Sequence, residues 1–207
     1  FLEVVGLAGA APVTLEPRLA VTDRDDAESL QAAPTTDEPI VAIHPGATDP
    51  RRRWPPAYFA AVADELAARG ARVVVIGSAE DVPAAAEIVE TAHHPALDLT
   101  TKLSLPGMVG LLARSVLVIG NDSGPRHLAG AVGTATIGIY WCGNLINAGP
   151  LTRARHRVGV SFRVNCPTCG MDQGRGRCEH DPSFVADVPV ADVFPHALEL
   201  FDSEATR

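Results

Sequence analysis

The sequence has few aromatic side chains and no long apolar run. Phe, Trp and Tyr make up 5% of the 207 residues, and no apolar run approaches the roughly 20 residues that cross a membrane as a helix. A secretory signal pattern is absent as well. These absences exclude a transmembrane helix within the sequence. A content of 46% hydrophobic and 20% charged residues is typical of a globular domain with a substantial core.

Positive charge is also scarce. The formal net charge is −8 at pH 7, which argues against a general nucleic-acid-binding protein, because such proteins need basic surfaces against phosphate backbones. We therefore expect no nucleic-acid partner. The first predicted strand is not followed by the G-x-G-x-x-G pattern of dinucleotide-binding dehydrogenases, which argues against that class too.

Short apolar segments alternate with segments of helical period. Strands are predicted at residues 40–44, 72–77, 97–99, 116–119 and 134–140, and helices at 56–69, 82–92, 104–114, 125–132 and 189–201. Strands that are apolar on both faces and alternate with helices indicate a parallel sheet covered on both sides. The predicted fold class is therefore α/β, with a doubly wound, Rossmann-like sheet. Ligands bind such sheets at the carboxyl ends of the strands.

The first 39 residues lack this alternation. Residues 1–7 look like the end of a helix, residues 15–20 like a short strand, and residues 22–39 are charged and turn-rich, which predicts a connector. Because Phe1 rather than Met comes first, we expect the chain to be part of a longer protein. Residues 1–39 would then be the remnant of an amino-terminal domain with its connector, and residues 40–207 the Rossmann-like domain.

Two loops at the predicted ligand edge suit a phosphate. The loop after the first strand contains Arg51, Arg52 and Arg53, and guanidinium groups bind phosphate oxygens bidentately. After the fourth strand, the turn at residues 122–125 opens a helix, whose first N–H groups and dipole favour an anion. The alternatives are a solvated basic loop and an ordinary capped helix that carries His127 on its polar face.

Four motifs occur in order along the chain. They are His44-Pro45-Gly46-Ala47, Arg52-Arg53-Trp54-Pro55, the strand ending at Gly77 with Glu80 after it, and Gly120-Asn121-Asp122-Ser123-Gly124-Pro125-Arg126-His127-Leu128-Ala129. This order resembles the carboxy-terminal half of glycosyltransferase family nine, the ADP-heptose:lipopolysaccharide heptosyltransferase family. The resemblance covers the chain from Ile40 to its end. It implies a GT-B architecture, in which two Rossmann-like domains face each other across a cleft and the carboxy-terminal one holds the nucleotide-sugar donor.

Carried over position by position, the resemblance implies a set of donor-binding residues. Arg52 replaces the family's usual lysine and would contact the diphosphate, with Arg53 beside it. An acidic residue near the ribose or the sugar corresponds to Glu80 or Asp81, and the apolar residue against the nucleobase corresponds to Leu103. The phosphate- and sugar-binding turn corresponds to Asp122, Ser123, Gly124 and His127.

The resemblance also implies an activity. An inverting glycosyltransferase of lipopolysaccharide biosynthesis would transfer a heptose-like sugar from a nucleotide-diphospho-sugar such as ADP-heptose to a glycan or glycolipid acceptor, with no cofactor for the transfer. It would act in the cytoplasm, in solution or as a peripheral protein at the inner face of the cell membrane. The general base would lie in the amino-terminal domain, so no catalytic residue is expected in this chain, and the chain alone would be inactive.

Two other functions remain as alternatives. A non-catalytic module could bind a nucleotide sugar through the same residues. A serine hydrolase could use Ser123 and His127, although the glycines around Ser123 do not form the G-x-S-x-G nucleophile elbow.

The segment 166–180 holds a cysteine-rich loop. Cys166, Cys169, Cys178 and His180 form a Cys3His set of the kind that binds structural zinc. The short spacing between Cys169 and Cys178 is uncommon for such sites. Free surface thiols are the alternative, and a disulfide is disfavoured in the cytosol. Cys142 follows a predicted strand and is expected to be a core residue.

Overall fold

The computed structural model describes residues 6–11 and 14–205. Within these residues, six strands form one parallel sheet. They are β1 Ile40–His44, β2 Arg72–Val75, β3 Ala96–Asp98, β4 Ser115–Asn121, β5 Ala135–Trp141 and β6 His156–Ser161. Their order in the sheet is β3-β2-β1-β4-β5-β6. The strand order reverses between β1 and β4, which creates the switch point where doubly wound sheets bind ligands.

Helices cover both faces of the sheet. They are α1 Asp23–Ala32, α2 Pro56–Ala67, α3 Val82–Thr91, α4 Leu105–Arg114, α5 Gly124–Ala131, α6 Cys142–Ala148 and α7 Val190–Glu204. Because alternate residues of a strand point to opposite faces, Val41 and Ile43 pack with α2, α3 and α7, while Ala42 and Val118 pack with α4 and α5. The predicted doubly wound α/β class is therefore confirmed.

Helix α1 lies in the charged, turn-rich segment 22–39, for which the sequence predicted no regular element, and the structure corrects this for residues 23–32. The role of the segment as a connector stays a prediction. A capping box starts the helix, with the Thr22 N–H donating to the Asp25 carboxylate at 2.8 Å. The helix packs closely on α4, where a Cβ at Gly110 would lie 2.1 Å from the Asp25 carbonyl oxygen. The Ser104 N–H and hydroxyl at the start of α4 both donate to Glu28, each at 2.6 Å. Caps and tertiary contacts rather than a strong apolar stripe stabilise α1, which explains why the sequence pattern missed it.

Other predictions also need correction. Residues 15–20 form no strand, and Leu19 instead donates its N–H to the Ala131 carbonyl at 2.8 Å. Helix α6 and strand β6 were not predicted, because both are short and mix polar with apolar residues. Cys142 is partly exposed at the start of α6 and is not a core residue.

The helix predicted at residues 1–7 falls mostly outside the described residues. None of the helices within the described ranges is long and apolar enough to span a membrane.

Candidate functional site

A cavity of about 280 Å³ opens where β1, β2 and β4 end. It lies at the switch point of the sheet, which is the usual ligand position of this fold class. Five residues of the predicted donor site line it, together with seven that were not predicted as donor ligands, although four of the seven belong to the family motifs. The predicted ones are Arg53, Glu80, Asp81, Ser123 and Gly124, and the others are His44, Ala47, Thr48, Gly77, Ser78, Met108 and Pro125.

Asn121 connects the loops of this edge. It ends β4, is fully buried, and donates its side-chain amide to the Pro45 carbonyl at 2.6 Å. Its side-chain oxygen Oδ1 accepts the backbone N–H of Trp54 at 2.9 Å. The Trp54 indole is itself fully buried and donates to the Val188 carbonyl at 2.8 Å. The side-chain amide of Asn121 thus holds both ends of the loop that contains Arg51, Arg52 and Arg53, which we call the arginine loop. The sequence motif alone did not reveal this role.

Asp122 lies between two of the predicted ligand-binding side chains. Arg52 Nη1 donates to Asp122 Oδ2 at 3.2 Å, and His127 Nε2 lies 3.1 Å from Asp122 Oδ1. The Asp122 side chain is 7% exposed, whereas that of His127 is 44% exposed. The buried carboxylate therefore orients both groups toward the open edge. A guanidinium carries five N–H donors, so Arg52 keeps donors for an incoming anion.

The amino terminus of α5 is open to a ligand. Ser123 occupies the N-cap position, but within the described chain its hydroxyl makes no capping bond to the first turn. The hydroxyl instead lies 2.9 Å from His44 Nδ1 and 3.2 Å from the Asn121 carbonyl oxygen. The first N–H groups of a helix have no intrahelical partners and attract anions. The N–H groups of Gly124 and Arg126 can therefore hold a phosphate, whereas Pro125 between them has no N–H to donate.

Asp81 is enclosed next to His44. Its Oδ2 atom lies 3.6 Å from His44 Nε2 and accepts the Ser78 N–H and hydroxyl at 2.8 and 2.9 Å. The contact with His44 and the hydrogen bonds from Ser78 outweigh burial and hold the pKa of Asp81 well below its ordinary value. Because this folded-state pKa is depressed, Asp81 stabilises the fold at pH values above the unfolded carboxyl pKa of about 3.9. That contribution is lost as the pH falls through the lower, folded-state pKa.

Two glycines make room for this carboxylate. A Cβ at Gly46 would lie 2.2 Å from Asp81 Oδ1, and a Cβ at Gly77 would lie 2.7 Å from Asp81 Cβ. Asp81 is therefore committed to the wall of the cavity, where it orients His44. Glu80 is exposed at the rim, where its carboxylate is accessible to a ligand hydroxyl. The two acidic residues between which the sequence left the choice open therefore differ in exposure: Asp81 is buried and hydrogen-bonded within the protein, and Glu80 is exposed.

Ser123, His44 and Asp81 form a row that resembles a serine-hydrolase triad. The hydrolase alternative paired Ser123 with His127, whereas the structure places Ser123 beside His44 and His127 beside Asp122. The Ser123 hydroxyl lies at a helix amino terminus that is suited to anion binding. This position favours a ligand-binding role for the serine.

Two apolar side chains are candidates for contact with a nucleobase. Leu103 is half-buried against the core cluster that contains Leu111 and Val118. Met108, on α4, lines the cavity itself. The structure therefore adds Met108 to the predicted contact at Leu103.

Arg126 is a buried positive charge next to His127. It is 3% exposed, its guanidinium contacts the His127 ring, and it lies 5.4 Å from the centre of the Tyr140 ring. Burial lowers the pKa of Arg126 and raises that of Tyr140. Gly138 on β5 provides the space, because a Cβ there would lie 2.9 Å from Arg126 Cδ. Arg126 thus helps to hold the His127 ring in position.

The four residues of the cysteine-rich loop come together in space. The ligand atoms of Cys166, Cys169, Cys178 and His180 all lie within 4.8 Å of one another. Tetrahedral zinc with 2.3 Å bonds to sulfur needs ligand atoms about 3.8 Å apart. The ligand atoms would therefore have to approach one another by about 1 Å to bind the ion. Gly170 takes a positive φ of 73° and donates its N–H to the Cys166 carbonyl at 2.9 Å, which closes the turn between the first two cysteines.

The chemistry of these thiols suits a metal. The cysteines are free rather than disulfide-bonded. The Gln173 amide donates to Cys178 Sγ at 3.3 Å, and this bond, with further contacts from His180 and Cys166, lowers the pKa of the Cys178 thiol to about 6. The pKa of the Cys169 thiol is raised, despite a backbone hydrogen bond from Met171, by desolvation and by the neighbouring thiols of Cys166 and Cys178. A lower pKa favours the thiolate, which is the form that binds metals. The donor set therefore fits a zinc-type ion.

Comparison with known proteins identifies relatives. The model of glycosyltransferase family 9 (heptosyltransferase) matches residues 4–173. Lipooligosaccharide heptosyltransferase 2 of Haemophilus influenzae is 35% identical over 148 residues, which are 67% of this chain and 42% of that protein. The chain therefore spans less than half of the length of this relative.

Solved structures share the fold. Escherichia coli ADP-heptose lps heptosyltransferase II superposes with a TM-score of 0.72 and 25% identity, covering 94% of this chain and 56% of that one. The iron-containing dodecameric glycosyltransferase TibC from enterotoxigenic E. coli H10407 superposes with a TM-score of 0.56 and 20% identity, covering 95% of this chain and 52% of that one. The family resemblance of the motifs is thus confirmed, and the chain belongs to glycosyltransferase family 9, the heptosyltransferase family.

Proposed function

We propose that this chain is the donor-binding part of an inverting heptosyltransferase that acts in lipopolysaccharide biosynthesis. The observation that carries the proposal is the position of Arg52, Asp122 and the start of α5 at the switch point of a family 9 domain. The name of the E. coli structural relative contains ADP-heptose, which supports an ADP-heptose-like donor. The acceptor would be a glycan or glycolipid of the cell envelope.

The donor would lie across the cavity at the strand ends. The diphosphate would contact the first amides of α5 and the guanidinium of Arg52. Glu80, exposed at the rim, would accept hydrogen bonds from ribose or sugar hydroxyls, and Leu103 and Met108 would face the nucleobase. These placements agree with the charge and exposure of each side chain.

The transfer of the sugar requires stabilisation of the negative charge that develops on the departing nucleoside diphosphate. The acceptor hydroxyl would attack the anomeric carbon while the bond from that carbon to the diphosphate oxygen breaks, and the nucleoside diphosphate would leave with its electron pair. Arg52 and the helix amides would stabilise this developing negative charge. They are cationic and dipolar groups in place before the reaction, so the transfer needs no cofactor. The hydroxyl proton would go to a general base outside this chain.

The proposal is tested by separating binding from turnover. The chain is expected to bind ADP at micromolar to millimolar concentration without transferring heptose, whereas a protein that includes the expected amino-terminal domain transfers it. In that longer protein, Ser123→Ala should weaken ADP binding by less than about tenfold, the loss of one neutral hydrogen bond. Transfer should persist, because the backbone amides remain. Complete loss of turnover in a folded, ADP-binding Ser123→Ala protein would instead indicate a serine nucleophile.

The cysteine cluster adds a second component to the proposal. Cys166, Cys169, Cys178 and His180 would hold one structural zinc ion, which would close the loop without taking part in the transfer. The TibC relative is described as iron-containing, so both metals must be measured. Elemental analysis of freshly purified, reduced protein should find about one equivalent of zinc. Protein free of metal would indicate free thiols, and one equivalent of iron would replace zinc in the assignment.

A further inference from the structure

The loop that carries the cysteine cluster lies directly against the arginine loop. The Phe184 N–H donates to the Arg51 carbonyl at 2.5 Å, and the Ser183 hydroxyl donates to the Arg53 carbonyl at 2.9 Å. These two bonds bracket Arg52, whose side chain reaches Asp122. The backbone on both sides of Arg52, the residue proposed to bind the diphosphate, is therefore held by a segment that begins directly after His180.

The Arg51 side chain adds to the same contact. Its guanidinium lies 4.6 Å from the centre of the Phe184 ring, and its Nε lies 3.8 Å from Asp181 Oδ1. Asp49 also binds this guanidinium, with a shortest distance of 2.7 Å. Arg51 thus faces the cysteine-rich loop, whereas Arg53 lines the cavity. The Phe184 ring stacks on Trp141 at the end of β5, which anchors the contact to the sheet.

Asp181 joins this contact to the cluster. It follows the cluster residue His180, and its N–H donates to the Cys178 carbonyl at 3.2 Å. Its φ of +40° lies in the left-handed region, which is costly for a residue other than glycine. Its carboxylate pairs with Arg177 and lies near Arg51. The geometry of the cluster and the position of Arg51 are therefore mechanically connected through one residue.

We propose that metal binding by the Cys166–His180 cluster positions Arg52 through the segment 181–184, so that the affinity for the donor diphosphate depends on the bound metal. The inference rests on the proposed function, because it assigns the diphosphate to Arg52. The residues 181, 183 and 184 are positioning residues that contact the arginine loop and not the ligand. A metal that closes the cluster would order this segment, and its loss would release the loop.

The first experiment compares zinc-loaded protein with protein stripped by a chelator under reducing conditions. Calorimetric titration with ADP should show a dissociation constant about three- to tenfold higher without zinc, a coupling typical of groups in one network. Circular dichroism should show that the sheet remains folded. Equal ADP affinity in the two forms, or protein that takes up no zinc, would overturn the proposal.

A variant that keeps all four cluster residues gives an independent test. Asp181→Asn should raise the dissociation constant for ADP about two- to fivefold while zinc stays bound, and Asp181→Glu should recover most of the affinity. The matched control is Asp172→Asn, because Asp172 lies in the same loop but pairs with the exposed Arg175. Asp181→Asn with unchanged ADP affinity, or an equal effect of Asp172→Asn, would contradict the proposed path.

The last arm separates this inference from the proposed function. In an Arg52→Ala background, zinc removal should cause little further loss of ADP affinity, because the coupling acts through Arg52. An undiminished effect of zinc in that background would reject Arg52 as the coupled residue while leaving ADP binding intact. If zinc-loaded protein with the natural sequence binds no ADP, the proposed function fails together with the inference.

Discussion

Arg52→Ala is expected to weaken ADP binding by about 1.5–3 kcal/mol, the loss expected for a charge-assisted hydrogen bond to a phosphate. This corresponds to a dissociation constant roughly ten to 150 times higher. The Arg52 side chain is 22% exposed and anchored to the buried Asp122, so its orientation costs little on binding. Calorimetry of ADP binding at fixed salt concentration measures the effect.

Two control variants distinguish the charge from its geometry. Arg52→Lys keeps the charge that the family usually has at this position and should lose less affinity than Arg52→Ala. Arg69→Ala removes an arginine that follows α2 and pairs with Asp202, and it should leave ADP affinity unchanged. Equal affinity of Arg52→Ala and the natural sequence would exclude Arg52 as a phosphate ligand.

Asn121→Ala is expected to lower the free energy of unfolding by about 2–4 kcal/mol. The substitution leaves the buried Trp54 N–H and Pro45 carbonyl without their partner, and each such group costs about 1–3 kcal/mol. The fully buried position of Asn121 offers no water to replace the lost bonds. Urea unfolding followed by circular dichroism measures the change.

A second substitution tests whether the loss of stability comes from the lost hydrogen bonds or from the lost side-chain volume of Asn121. Asn121→Asp preserves the shape but cannot donate to Pro45, so it should destabilise the fold at neutral pH by a similar amount. Asn147→Ala serves as the control, because Asn147 is exposed and its side chain bonds within its own helix turn, to the Gly143 carbonyl. Surface changes of that kind stay within about 0.5 kcal/mol. If Asn121→Ala proved as stable as Asn147→Ala, the role of Asn121 as a connector of the loops would be wrong.

The predictability of the fold varied with burial. Strands β1, β2, β4 and β5 were predicted because buried parallel strands have continuous apolar sequences. Strand β6 and helices α1 and α6 were missed. Strand β6 lies at the edge of the sheet and contains Arg157 and Gly159, and α1 is mostly polar. Elements that depend on neighbours or caps for stability leave little periodic signal in the sequence.

The candidate site, like the fold, was predicted only in part from the sequence. Motif order placed Arg52, Glu80 and Ser123 at one edge of the sheet, and the structure brings them to that edge. Their roles as donor ligands stay predictions until binding is measured. The buried contacts of Asn121 and Arg126 could not be inferred, because a polar residue at a strand end or in a first helical turn is compatible with many partners.

The sequence by itself determined the parallel α/β class, the family and the edge of the sheet where a ligand would bind. Those properties follow from apolar periodicity and from the order of local motifs, which both act over short stretches of chain. Only the tertiary structure decided which arginine faces which partner: Arg52 faces Asp122, Arg53 lines the cavity, and Arg51 faces the cysteine-rich loop. Three adjacent residues of one type carry the same local signal, so contacts with distant segments alone can distinguish them.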